Sequence, residues 1–156
     1  MNSGKAEKLS SVALSVFRLN GLLIEWGNDF CMLLGLTSAR WQVMGAVALA
    51  PQPPSVPQIA AFMGITRQGV QKQVNLLVEE GLFQALPNPA HKRSPLYALT
   101  RQGEETYRDL HQRWQQHVEA ISSNFSTADL DAAIRVLSAL SHVHAARSGT
   151  GERGVS

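Results

Sequence analysis

Residues 55–100 read SVPQIAAFMGITRQGVQKQVNLLVEEGLFQALPNPAHKRSPLYALT, and the punctuation inside this stretch decides the fold. Ser55 precedes an apolar run as a helix N-cap, and Gln58 completes an S-x-x-Q capping box. Ile59, Ala60 and Met63 follow at helical spacing, with Ala60 small enough to let a second helix cross closely; Gly64 stops the first helix. Ile65 reads as an apolar plug in the turn, and Thr66 as the cap of the next helix. Along that second helix Val70, Val74, Leu77 and Val78 make a core-facing stripe until Gly81 ends it.

Opposite the stripe, at about 100° per residue, lie Gln68, Gln71, Lys72 and Asn75, with Thr66 and Arg67 at the N-terminal end. Gln and Asn offer paired hydrogen bonds to adenine, whereas Arg and Lys reach guanine or phosphate. A merely solvated face usually mixes Glu with Lys, but this one carries no acid before Glu79. Gly69 inside it costs about 1 kcal/mol of helix propensity relative to Ala; close approach to a DNA backbone and simple tolerance are equally good readings.

Leu82 to Leu86 is a short apolar run, broken by Pro87, Asn88, Pro89 and Ala90, and the pattern resumes from Leu96 to Leu99. This is a hairpin whose tip carries His91, Lys92 and Arg93. Lys92 and Arg93 are candidates for minor-groove or phosphate contact. Two short helices, a tight turn and a basic hairpin in that order spell a winged helix-turn-helix that reads double-stranded DNA.

Charge divides along the same line. The 156 residues hold 14 Lys and Arg against 12 Asp and Glu. Residues 37–103 carry six basic and two acidic side chains, a local +4, so the remaining eight basic and ten acidic residues sum to −2. Positive charge confined to one segment is a footprint for a polyanion.

Three blocks, LTSARWQVMGAVAL at 36–49, QIAAFMGITRQGVQKQVNLLVEEGLF at 58–83 and NPAHKRSPLYALTRQG at 88–103, resemble successive parts of the MarR family of bacterial transcription regulators. The resemblance covers residues 8–146, and its most specific parts are E-E-G-L at 79–82 and L-T-x-x-G at 99–103. It implies a homodimeric winged-helix repressor or activator. One departure lies at the wing: the family commonly has an acid two positions before the arginine, and His91 stands there instead.

Outside that segment Leu9, Val12, Val16, Leu19, Leu23, Trp26, Phe30 and Leu33 alternate spacings of three and four, one seam of a long helix broadened by Phe17, Ile24 and Leu34. From Thr100, Tyr107, Leu110, Trp114, Val118 and Ile121 mark a second long helix; Ser126 with Asp129 caps a third, stapled by Phe125 and Leu130. The expected architecture is mainly α with a small β-hairpin wing. It is a single domain in which a winged helix-turn-helix at 37–103 is flanked by dimerisation helices at 8–35 and 104–146. The ends at 1–4 and 148–156 are polar and read as mobile. A two-fold pair would meet successive major grooves about 34 Å apart, which predicts a pseudo-palindromic operator.

The uncharged interval 41–66 is broken by Pro51, Pro53, Pro54 and Pro57, so it reads as no membrane span. No secretory signal opens the chain, and a single cysteine makes no internal disulfide, so the expected location is cytoplasmic. Cys31 sits among Phe30, Met32, Leu33 and Leu34, which favours a packed thiol over an oxidant sensor. His142 and His144 point to different helix sides, and His111 and His117 are six apart, so no metal site is expected. No catalytic motif or cofactor signature appears, so the chain reads as no enzyme.

The family resemblance implies an effector pocket between the dimer helices and the DNA-reading lobe, suited to a small aromatic acid. Trp26, Trp41 and Met44 are its candidate apolar lining and Arg40 its candidate carboxylate partner; an ordinary core with a surface charge is the competing account. Two different functions compete with ligand-controlled DNA reading: an oxidant response through Cys31, and a winged-helix module that binds protein without reading DNA.

Overall fold

The computed structural model describes residues 3–148. Nine elements follow in order: α1 (Ser3–Cys31), a 3-10 turn (Met32–Leu34), α2 (Ser38–Leu49), α3 (Val56–Met63), α4 (Arg67–Glu79), β1 (Phe83–Leu86), β2 (Leu96–Leu99), α5 (Arg101–Ser122) and α6 (Thr127–Ser148). Of the ends expected to be mobile, Ser3, Gly4 and Ser148 lie in helix, while 1–2 and 149–156 lie outside the described residues. The chain divides into two compact units, with the boundary between Leu110 and His111.

In the first unit, α1 and α2 cross closely because Gly27 carries no side chain. A Cβ there would collide with the Ser38 hydroxyl, which is buried and donates to the Ile24 carbonyl at 2.6 Å. The Ser38 amide donates to Asn28 Oδ1 at 2.8 Å. Thr37 caps α2, its hydroxyl accepting the Arg40 amide at 3.3 Å. The core behind this joint is formed by Val43 and Met44 of α2, Ile59 of α3, Val70, Val74 and Leu77 of α4, and Leu110 of α5. At about 1.5–3 kcal/mol for each large apolar side chain removed from water, these residues bind α2, α3, α4 and the start of α5, up to Leu110, into one body.

The cap and stop signals of α3 are realised, but the Ile65 plug is not. The Ser55 amide donates to Gln58 Oε1 at 2.9 Å, the return half of the capping box. Gly64 ends α3 in the left-handed conformation at φ 67°, which a residue with a Cβ adopts only at a cost. Ile65 does not plug the turn: it is 45% exposed, because the glycine cap directs the chain outward there. Val78 also departs from the expected core stripe and is 40% exposed, since at about 100° per residue it lies on the flank of the helix, next to the buried Leu77 in sequence but turned away from it.

The two strands pair antiparallel with Phe83 opposite Leu99 and Leu86 opposite Leu96. The segment before α3 adds a third edge, with the Tyr97 amide donating to the Pro54 carbonyl at 2.9 Å and Ser55 bridging Leu96. The wing is thereby fastened to the start of α3.

The long N-terminal seam ends earlier than its spacing suggested. α1 stops at Cys31, and Leu33, on the 3-10 turn, is 81% exposed. From Leu9 to Ile24 the large apolar residues of α1 are exposed, Phe17 most of all at 76%. In the second unit Ser126 accepts the Asp129 amide at 3.1 Å to cap α6, whose Ile134, Leu137 and Val143 are exposed. No single helix among the described residues is long and apolar enough to cross a membrane.

Candidate nucleic-acid interface

Thr66 positions the reading helix. Its hydroxyl accepts the Gly69 amide at 3.1 Å, occupying one of the free N–H groups of the first turn of α4. A Cβ at Gly69 would lie 3.1 Å from the same hydroxyl, a tight contact that a small shift of the cap relieves. Arg67, Gln68, Gln71, Lys72 and Asn75 lie on the side of α4 away from the buried Val70, Val74 and Leu77. Gln71 donates from Nε2 to Asn75 Oδ1 at 2.8 Å, so the two amides are pre-aligned along one face.

The hairpin brings its basic tip to this helix. Arg67, Gln68 and Gln71 line one depression together with Arg93, Val56 and Pro57. Lys92 and His91 line its neighbour with Pro57 and Arg93. The loop that carries them is shaped by Asn88, whose side chain donates to the Ser94 carbonyl at 2.8 Å and accepts the Ala90 amide at 3.1 Å. Asn88 thus braces the wing loop on both sides of His91, Lys92 and Arg93. Among the described residues lining these two depressions there is no acid, an arrangement suited to an anion.

The other candidate residues divide. Trp26 stacks on Phe30 with ring centres 4.7 Å apart, and Phe30 lies 5.3 Å from Trp41, so Trp26 and Trp41 belong to one aromatic run joining α1 to α2. Met44 is wholly buried in the core. Arg40 is engaged: its guanidinium pairs with the Glu80 carboxylate at the end of α4, and its side chain is only 15% exposed. Sequence reading missed Glu80, because no local pattern joins residues 40 positions apart. Cys31 is fully buried, and desolvation pushes its thiol up to about 11. His111 contacts Gln115, and His144 the Leu140 carbonyl, each within its own helix.

Residues 34–94 match the model of the MarR family. An uncharacterized protein of Mycobacterium tuberculosis is 37% identical over 108 residues, which is 69% of this chain and 74% of that protein. The fold is similar to CouR from Rhodococcus jostii RHA1 bound to p-coumaroyl-CoA, with TM-score 0.73, 19% identity, and 85% and 94% of the two chains covered. It is also similar to a mutant MarR from E. coli complexed with operator DNA, with TM-score 0.70, 20% identity, and 83% and 93% covered. With the helix-turn-helix, the braced wing and the family match in agreement, the chain belongs to the MarR family of DNA-binding transcription regulators.

Proposed function

We propose that the chain is a homodimeric, sequence-specific repressor on a pseudo-palindromic operator. α4 enters the major groove through Gln68, Gln71, Lys72 and Asn75, and Lys92 and Arg93 of the wing contact the adjacent minor groove or phosphates. The observation that carries this reading is the convergence of Arg67, Gln68 and Gln71 of α4 with Arg93 of the wing on one exposed depression. Thr66 and Arg67, at the N-terminal end of α4, are suited to phosphate, because free amide groups and a guanidinium meet there.

Residues 37–103 are the DNA-reading part in this account, and residues 8–35 and 104–146 are dimerisation helices. The exposed apolar residues of α1 and α6 support a second copy as their cover, since a lone chain leaves Phe17, Leu19, Leu23 and Ile134 in water. Two reading helices about 34 Å apart then engage successive major grooves. A regulator of chromosomal DNA acts in the cytoplasm.

Release by a small aromatic acid is the effector reading, supported by the Trp26–Phe30–Trp41 run and by the p-coumaroyl-CoA held by CouR. Trp26 and Trp41 supply the aromatic surface beside the buried Met44. Arg40 serves a carboxylate in this reading only by exchanging it for Glu80. Cys31 is placed in the packed core, and its elevated thiol argues against oxidant response.

Fluorescence anisotropy with labelled duplex tests the DNA reading. Saturable binding whose logarithm falls linearly with the logarithm of salt is expected. Absence of saturable binding at low salt would favour a protein-interaction module instead.

A further inference from the structure

The Arg40–Glu80 pair sits at a mechanical junction. Arg40 lies in the first turn of α2, beside Trp41, and its Nε also approaches the Thr37 hydroxyl at 3.4 Å. That turn is pinned to α1 by Ser38, through the Ile24 carbonyl and Asn28, and by the aromatic contact of Trp41 with Phe30. Glu80 is the C-cap of α4, the residue at which the reading helix hands over to the wing. The Arg40 side chain is 15% exposed and that of Glu80 38%, so the pair is more shielded than an ordinary surface ion pair.

We propose that Arg40 is a positioning residue for DNA reading: through Glu80 it fixes the C-terminal end of α4 to the α1–α2 joint. This rests on the DNA reading proposed for α4. The opposite end of α4 is set locally by the Thr66 cap, and the middle by Val70, Val74 and Leu77 in the core. At the C-terminal end Thr100 holds the Gly81 carbonyl, and the ion pair adds the tie from Glu80 to α2. A small rotation of α4 about its buried middle moves Gln68, Gln71 and Asn75 relative to base edges but leaves their charge environment unchanged. Loss of the pair therefore erodes discrimination between sequences more than it erodes attraction to DNA.

Glu80→Gln separates this role from plain electrostatics, because the two predict opposite signs. Removing an acid from a DNA-binding lobe strengthens binding to any polyanion; releasing a helix weakens binding to the correct sequence. The probes are a duplex recovered by the wild-type protein from a random pool and a scrambled duplex of the same composition. For Glu80→Gln and Arg40→Gln, affinity for the recovered duplex should fall roughly fivefold relative to the scrambled one. The double variant Arg40→Glu with Glu80→Arg should regain discrimination over either single reversal, a rescue that general damage to the fold does not give. Melting curves establish that each variant is folded, and the charge swap remains decisive where a single variant is not. Parallel changes on both duplexes, or a swap without rescue, would overturn the positioning role. An empty selection would overturn DNA reading itself, a distinct failure.

Discussion

Thr100 donates its hydroxyl to the Gly81 carbonyl at 2.6 Å, and the same oxygen accepts the Gly103 amide at 3.0 Å. One side chain thereby caps α5 and closes the end of α4. The Thr100 amide donates to the Leu82 carbonyl at 3.0 Å, and that carbonyl oxygen occupies the space a side chain at Gly103 would need. E-E-G-L and L-T-x-x-G are therefore two sides of one joint at the base of the wing. Gly103→Ala should cost about 2–3 kcal/mol, because backbone has to move to admit the methyl group. Thr100→Val should cost about 1–2 kcal/mol through the lost cap and hydrogen bond. Urea denaturation measures both, and an unchanged midpoint for Gly103→Ala would show that the contact is not close in solution.

The DNA face makes two kinds of contact, and substitutions distinguish them. Lys72→Ala and Arg93→Ala should each weaken binding on all sequences and lower the salt slope by about 1. Gln71→Ala should leave the slope alone and relax base preference at one position of each half-site, by about 1–3 kcal/mol. Anisotropy titrations at several salt concentrations read both effects.

Cys31 should be inert in the folded protein near neutral pH. Burial pushes its thiol up to about 11 from an ordinary value of 9.0, so the reactive thiolate is scarce and shielded. Between those two values the folded state keeps a proton that the unfolded chain releases, so this residue lowers stability as pH rises through that window and not below it. Alkylation by iodoacetamide at about pH 8, below both values, should be much slower in native than in urea-unfolded protein; equal rates would contradict the burial.

Oligomeric state tests the cover of α1. Sedimentation should give particles of twice the 17.0 kDa chain mass at micromolar concentration, and Leu19→Asp with Leu23→Asp should return them to monomers. A wild-type monomer at that concentration would refute the dimer.

Helix starts and stops were legible in the sequence because they depend on single residues with specific backbone chemistry: Thr66 capping α4, Gly64 and Gly81 at positive φ, Ser126 capping α6. The hairpin was readable from its apolar runs and prolines. Periodicity was less informative about where a stripe ceases to be covered, and so it included Val78 in the core and made Ile65 a plug although both are exposed. Tertiary polar partners left no local trace. Nothing near Arg40 announces Glu80.

Selecting duplexes from a random pool with the purified protein asks whether residues 55–100 read DNA as one half of a two-fold pair. An inverted repeat with half-site centres about 10 base pairs apart should be enriched, and the enrichment should be lost on combining Gln71→Ala with Arg93→Ala. Recovery of no enriched sequence, or of one without two-fold symmetry, would contradict that reading.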